Sequence, residues 1–252
     1  MKRRDLLKSS LTAGLALAGS AVVPALPAKL AAQPRTGTPR DRALFNLAKR
    51  ELDRAGDAIW RRDIVGICDY GVHSARQRFY LINMGREEVR TMHVSHGSGS
   101  DPEHDGWLNH YSNVEGSNAS SKGAYVTWEW YQGKYGTSVR LGGLDETNDA
   151  ALRRYIVMHR AAYSEPSHLQ RWGKMGRSNG CFAYGTADFR EILMNLSGGR
   201  LLYADSLGLQ HDGAMLTREE QLALAGSGTN PNTQMLSADH RTDAQRRIPG
   251  AF

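Results

Sequence analysis

The apolar residues of this chain change their spacing near residue 63, and that change restricts the fold more than any other feature. Before it, Leu44, Phe45, Ala48, Leu52 and Ala55 recur at helical intervals on one face, with Asp41 as the expected cap of a helix running to about Ala58. After it come short β-like runs at 64–70, 77–83 and 89–96, separated by turn residues, with Gly85 marking a hairpin. Strand patterns resume at 124–131 and 138–144 around a 132–136 turn. A short helix is expected from Thr147, and an apolar strand over 154–159 ends at His159. Thr186 is the expected cap of a helix bearing Phe189, Ile192, Leu193 and Leu196, closed by Gly198-Gly199 and followed by a last strand at 200–204. Segments 97–123 and 164–180 lack periodicity and read as loops, and loops that long are usually functional. The pattern predicts a mainly β fold with a few helices (α+β), built as a β-sandwich or mixed sheet.

The first residues have a different purpose. Lys2, Arg3, Arg4 and Lys8 precede a small-residue apolar run from Leu11 to about Ala28, the plan of a secretory signal. The Arg3-Arg4 pair resembles the twin-arginine export signal. Residues 1–32 are therefore expected to be a leader, 33–62 a linker and helix, 63–205 the main domain and 206–252 a partly flexible extension containing a Thr217–Glu220 capping box. Residues 1–28 carry half of the formal charge of +6. The rest is dispersed and forms no basic stripe of the kind nucleic acids require. Beyond the leader no apolar run is long enough to span a membrane, so no stable insertion is expected after signal removal.

Two cysteines in an exported chain invite a disulfide. Cys68, however, sits in an apolar strand-like run that suits a small core residue. Cys181 lies in Gly176-Arg177-Ser178-Asn179-Gly180-Cys181-Phe182, shortly before a helix. A cysteine acts as a nucleophile only as thiolate, so it needs a base nearby and backbone N–H groups aimed at the developing oxyanion. A glycine directly before it permits a tight turn and close substrate approach. His159, 22 residues upstream at a strand end, is the partner the pattern offers. Spacing alone leaves a core histidine and a buried loop cysteine open as alternatives.

Tyr-Ile-Val-Met-His159 followed by Gly-Arg-Ser178-Asn-Gly180-Cys181 resembles the catalytic signature of the murein L,D-transpeptidase (YkuD-like) family, and specifically its Gram-negative branch. The likeness extends to 94–100, 111–113, 116–125 and 136–144, covering about residues 63–205 in order. It implies a β-rich catalytic domain in the periplasm acting on peptidoglycan stem peptides without a cofactor. Cys181 would attack the third stem residue and expel the terminal D-alanine, with His159 as base. Gly180 and Cys181 amides would form the oxyanion hole, and Ser178 would hold the loop. His96, Gly97, Arg177 and Asn179 are the expected substrate-side residues.

The sequence departs from the commoner family pattern at Asn179, at Phe182-Ala183 and at Arg160. Arg177, Arg160 and Lys174 are alternative sources of positive charge for a substrate carboxylate. A carboxypeptidase using water and a non-catalytic peptidoglycan-binding relative remain open alternatives. His104 and His110, with Asp101, Glu103 and Asp105, match no established metal-ligand spacing, so no metal is expected and a solvated loop is preferred to a zinc hydrolase. Trp128, Trp130, Tyr131 and Tyr135 read as core and sheet packing, with glycan stacking the lesser alternative.

Overall fold

A computed structural model describes residues 37–217 and 219–220. The leader, its cleavage region and the tail beyond residue 220 lie outside the described residues. The chain orders as α1 (Pro39–Ala55), β1 (Ile64–Asp69), β2 (Phe79–Asn83), β3 (Glu88–Met92), β4 (Gly123–Gly133), β5 (Gly136–Gly143), β6 (Val157–Arg160), α2 (Pro166–Trp172), β7 (Phe182–Tyr184), α3 (Thr186–Leu196) and β8 (Leu201–Asp205). The fold is α+β, with one curled eight-stranded mixed sheet in the order β3-β2-β1-β8-β4-β5-β6-β7. Two neighbour pairs are parallel, β1 with β8 and β6 with β7.

Period-two alternation sorts the strand side chains onto two faces. Cys68, Phe79, Leu81, Tyr125, Leu141, Met158 and Phe182 point to one face and pack with Phe189, Ile192 and Leu196 of α3. Val65, Ile67, Tyr80, Ile82 and Val126 point to the other, under Leu44, Leu47 and Leu52 of α1. In β6 and β7 this alternation puts His159 and Ala183 opposite the Met158–Phe182 core pair. Cys68 and Cys181 are both free, so no disulfide joins them.

Several boundaries differ from the pattern, each for a local reason. Thr38 caps α1, its Oγ1 accepting from the Asp41 N–H, so Asp41 is a first-turn residue and not the cap. The helix expected from Thr147 is a run of turns. Asn148 accepts from the Asp145 N–H and donates to the Ala124 carbonyl, offering the backbone a competing partner. The strand expected over 154–159 begins only at Val157. Segment 164–180 contains α2, seven residues started by Pro166 and ended by left-handed Gly173, too short for a helical period but carrying the punctuation of one. Gly185 caps α3, while Thr186 binds Glu165. The aromatic strand is not core: the second half of β4 is exposed beyond a bulge after Thr127, where Tyr131 carries the Arg140 guanidinium 4.4 Å away. Thr217 and Glu220 do exchange capping-box hydrogen bonds.

The segment leaving β3 closes the curl. Ser95 N–H donates to the Ala183 carbonyl (2.9 Å), so this segment pairs with the outer edge of β7. Its anchor is a buried chain of Arg78, His96 and Asp101. Arg78 is fully buried and donates to the Val72 and Val94 carbonyls and to His96 Nδ1 (2.8 Å). A guanidinium only donates, so Nδ1 carries the lone pair, and Nε2–H donates to Asp101 Oδ2 (3.0 Å). That arrangement requires neutral imidazole, and burial lowers His96 to about 4, while Asp101 stays ionised with a depressed value.

Because the unfolded chain then binds the proton that folded His96 refuses, stability is lost as pH falls from about 6.5 towards 4, on the order of 3 kcal/mol from this ring. His93, His104 and His159 are also lowered by burial, so a variant isolates the contribution. Urea unfolding at neutral and acid pH should show a smaller acid loss in His96→Gln than in the wild type. Equal losses would contradict the neutral-ring assignment.

Candidate active site

Cys181 precedes β7 in a turn that only glycine can make. Gly180 has φ 104°, and a Cβ there would stand 2.6 Å from the Ala119 carbonyl oxygen. Gly97 approaches the same turn so closely that its Cβ would meet the Asn118 carbonyl and lie 2.8 Å from Gly180 Cα. The approach is a backbone ladder: Ser178 N–H donates to the His96 carbonyl (2.8 Å), and Ser98 N–H donates to the Ser178 carbonyl (2.7 Å). Inside the turn, Ser178 Oγ accepts from Gly180 N–H (3.1 Å) and donates to the Cys181 carbonyl (2.6 Å). Gly180 N–H is thus occupied, a correction to its expected oxyanion role, and of the two expected donors the Cys181 amide is left.

The parallel register pairs Met158 with Phe182 and His159 with Ala183, which carries Cys181 level with Val157. Cys181 directly precedes the β7 residue paired with Met158, while His159 pairs with Ala183 two residues further on. His159 is 3% exposed and Cys181 6%. His159 Nδ1 lies 2.9 Å from the Arg160 carbonyl, which can only accept. Nδ1 consequently holds the proton and Nε2 the lone pair, with the tautomer set by the backbone and not by an acid. The Tyr135 ring stacks on the imidazole at 4.6 Å and 21°.

The resting thiol does not bond to His159. Its S–H points to the Tyr155 carbonyl at 3.6 Å. Tyr155 sits in the left-handed region at φ 55°, an unusual place for an aromatic residue, and its ring is 80% exposed. Burial pushes the Cys181 thiol up, opposed by the Val157 N–H and by Arg154, and burial pulls His159 down. The resting pair is neutral thiol and neutral imidazole.

Not every expected substrate residue faces this opening. His96 is 1% exposed and held between Arg78 and Asp101, so its ring faces inward. Gly97 and Ser178 shape the turn through backbone and hydroxyl contacts. Arg177 is spent on the Asp101 and Pro102 carbonyls. Asn179 is exposed beside the turn. The acidic loop does not converge: Asp101 turns inward, His104 Nε2 faces the Met175 carbonyl at 3.3 Å, and His110 is exposed. Among the described residues no group of three metal-ligating side chains forms. Sequence reasoning missed Arg154, Tyr155 and Tyr135, and the only available signal was an arginine and a tyrosine opening an otherwise apolar run.

Residues 40–204 match the L,D-transpeptidase catalytic domain, a YkuD-type family. The chain belongs to this family. No curated protein matches it. Among solved structures, an L,D-transpeptidase from Mycobacterium smegmatis aligns at 15% identity and TM-score 0.35, over 57% of this chain and 58% of that one. An L,D-transpeptidase from Mycobacterium tuberculosis H37Rv gives 15% and 0.36, over 57% of each chain. The helical cell shape determining protein Pgp2 of Campylobacter jejuni gives 12% and 0.37, over 73% of this chain and 61% of that one. Each alignment spans less than two thirds of the other protein.

In this L,D-transpeptidase domain the two thiols differ in reach as well as acidity, since Cys68 is wholly buried and pushed up to about 12. With Cys181 raised, its thiolate is scarce at neutral pH, so alkylation by iodoacetamide should be slow near pH 7 and climb steadily to pH 9 and beyond. Peptide mapping by mass spectrometry should place the label on Cys181, with Cys68 unmodified in the folded protein. A rate flat across that range, or labelling of Cys68 first, would contradict this environment.

Proposed function

We propose that the domain is a cysteine-dependent murein L,D-transpeptidase acting on peptidoglycan stem peptides. The observation that supports the reading is the register of β6 and β7, which pairs His159 with Ala183, two residues after Cys181, together with the Arg160 carbonyl at His159 Nδ1. Rotation of the thiol away from the Tyr155 carbonyl would bring its proton to His159 Nε2. The sulfur then bonds to the carbonyl carbon of the L-centre of the third stem residue, with the Cys181 amide facing the oxyanion. The C–N bond to terminal D-alanine breaks, and His159 returns its proton to the leaving amine. An amine of a second stem attacks the thioester, forms the cross-link and restores the thiol. No step requires a metal or cofactor.

The basic start, the Arg3-Arg4 pair and the small-residue apolar run support twin-arginine export to the periplasm, and Ser178-Asn179-Gly180-Cys181 followed by a non-basic residue supports the Gram-negative branch. Among the described residues no helix is long and apolar enough to cross a membrane. Recovery in the periplasmic fraction, lost when Arg3 and Arg4 are both replaced by Lys, tests that placement, and unchanged export would refute the twin-arginine route.

Incubation with disaccharide tetrapeptides should give cross-linked dimers by mass spectrometry. Cys181→Ala should give none, and His159→Gln should slow the reaction about 100- to 10,000-fold. Tripeptides alone would replace transfer by carboxypeptidase action with water as acceptor. Unaltered tetrapeptides would leave a binding relative instead of an enzyme.

A further inference from the structure

Arg154 stands where the sequence pattern placed a strand residue, in the turn just before β6 and next to the Tyr155 carbonyl that receives the Cys181 thiol. Its guanidinium donates four hydrogen bonds: Nη1 to the Ser112 carbonyl (2.8 Å) and Ser121 Oγ (3.3 Å), Nη2 to the Ala119 carbonyl (2.6 Å) and Ser117 Oγ (3.3 Å). All four acceptors belong to the loop 112–121, and all are neutral. The same Ala119 carbonyl abuts the Gly180 turn, and Nη2 lies 3.3 Å from the point where a Gly180 Cβ would stand. No carboxylate pairs with this cation among the described residues, whereas the neighbouring Arg153 faces Glu115.

A half-buried guanidinium with only neutral partners is costly. Two groups near it can become anions, the buried Tyr125 phenol and the Cys181 sulfur, and burial pushes the phenol well above its ordinary value, which leaves the sulfur and the oxyanion formed beside it. We propose that Arg154 is a positioning residue of this site, pinning the 112–121 loop against the nucleophile turn and setting an uncompensated positive charge beside the sulfur. This rests on Cys181 being the nucleophile. The other groups facing the sulfur are the Val157 N–H, the Tyr155 carbonyl, the Tyr163 phenol and, across the strand pair, His159. None of these carries a standing positive charge at rest, because burial keeps His159 neutral. Arg154 opposes the burial that raises the thiol.

The test follows iodoacetamide alkylation of Cys181 against pH, a substitution in which the sulfur–carbon bond forms and iodide leaves, so peptidoglycan is not needed. Arg154→Met removes the charge and keeps the length, and Arg154→Lys keeps the charge and loses the fork. The Met variant should show its rate midpoint about one pH unit higher, which is about tenfold slower labelling at neutral pH, and Lys should return most of that shift. A merely structural arginine would move both variants alike or neither, and either result overturns the proposal. If Met lacks a cooperative melt, Arg154→Gln against Arg154→Lys decides the same question. Failure of the wild type to turn over tetrapeptides would sink the transpeptidase reading and leave this midpoint shift standing.

Discussion

Backbone pairing between the segment leaving β3 and the turn that carries Cys181 is the constraint on which the rest of this structure depends. Ser95 holds the edge of β7, His96 and Ser98 hold Ser178, and Gly97 lets the two strands of chain come close enough to do so. The sheet thereby curls until its two ends meet, and the Cys181 turn becomes the seam. Such a seam needs a rigid support, and the Arg78–His96–Asp101 chain supplies one through fully buried, directional hydrogen bonds. The residues that look most reactive in this region, a histidine and an aspartate, are therefore structural.

Burial decides the electrostatics of the opening. A thiol raised and an imidazole lowered by the same dry surroundings favour the neutral pair over the ion pair, and the thiol parks its proton on a carbonyl. In the proposed reaction, contact with Nε2, an amide, or the guanidinium of Arg154 lowers the cost of a sulfur anion. Tyr135 stacks over the imidazole, and Tyr155, whose carbonyl receives the thiol, is itself exposed.

The sequence displayed the elements with strong periods. α1, the β1–β3 meander, the β4–β5 hairpin and α3 are all recognisable from spacing, because each buries a whole face and must repeat apolar residues to do so. The glycine before Cys181 was legible for the same physical reason that it is required, a positive φ and a close carbonyl. What escaped was set by long-range geometry. Nothing local tells that His96 turns inward, that Arg177 is consumed by two carbonyls, or that the Gly180 amide is taken by Ser178. Arg154 was hidden inside an apparent strand because its contacts lie 33 to 42 residues away. α2 escaped because seven residues cannot display a period.

Convergence of His159 Nε2 on the Cys181 sulfur is the central claim, and long-range nitrogen–proton correlation spectra of the His159 ring test it most directly. Spectra taken before and after carboxamidomethylation of Cys181 should show Nδ1 protonated throughout, as its hydrogen bond to the Arg160 carbonyl requires, and Nε2 displaced by the new group on sulfur. An Nε2 resonance indifferent to the modification, or a ring protonated at Nε2 instead, would contradict it.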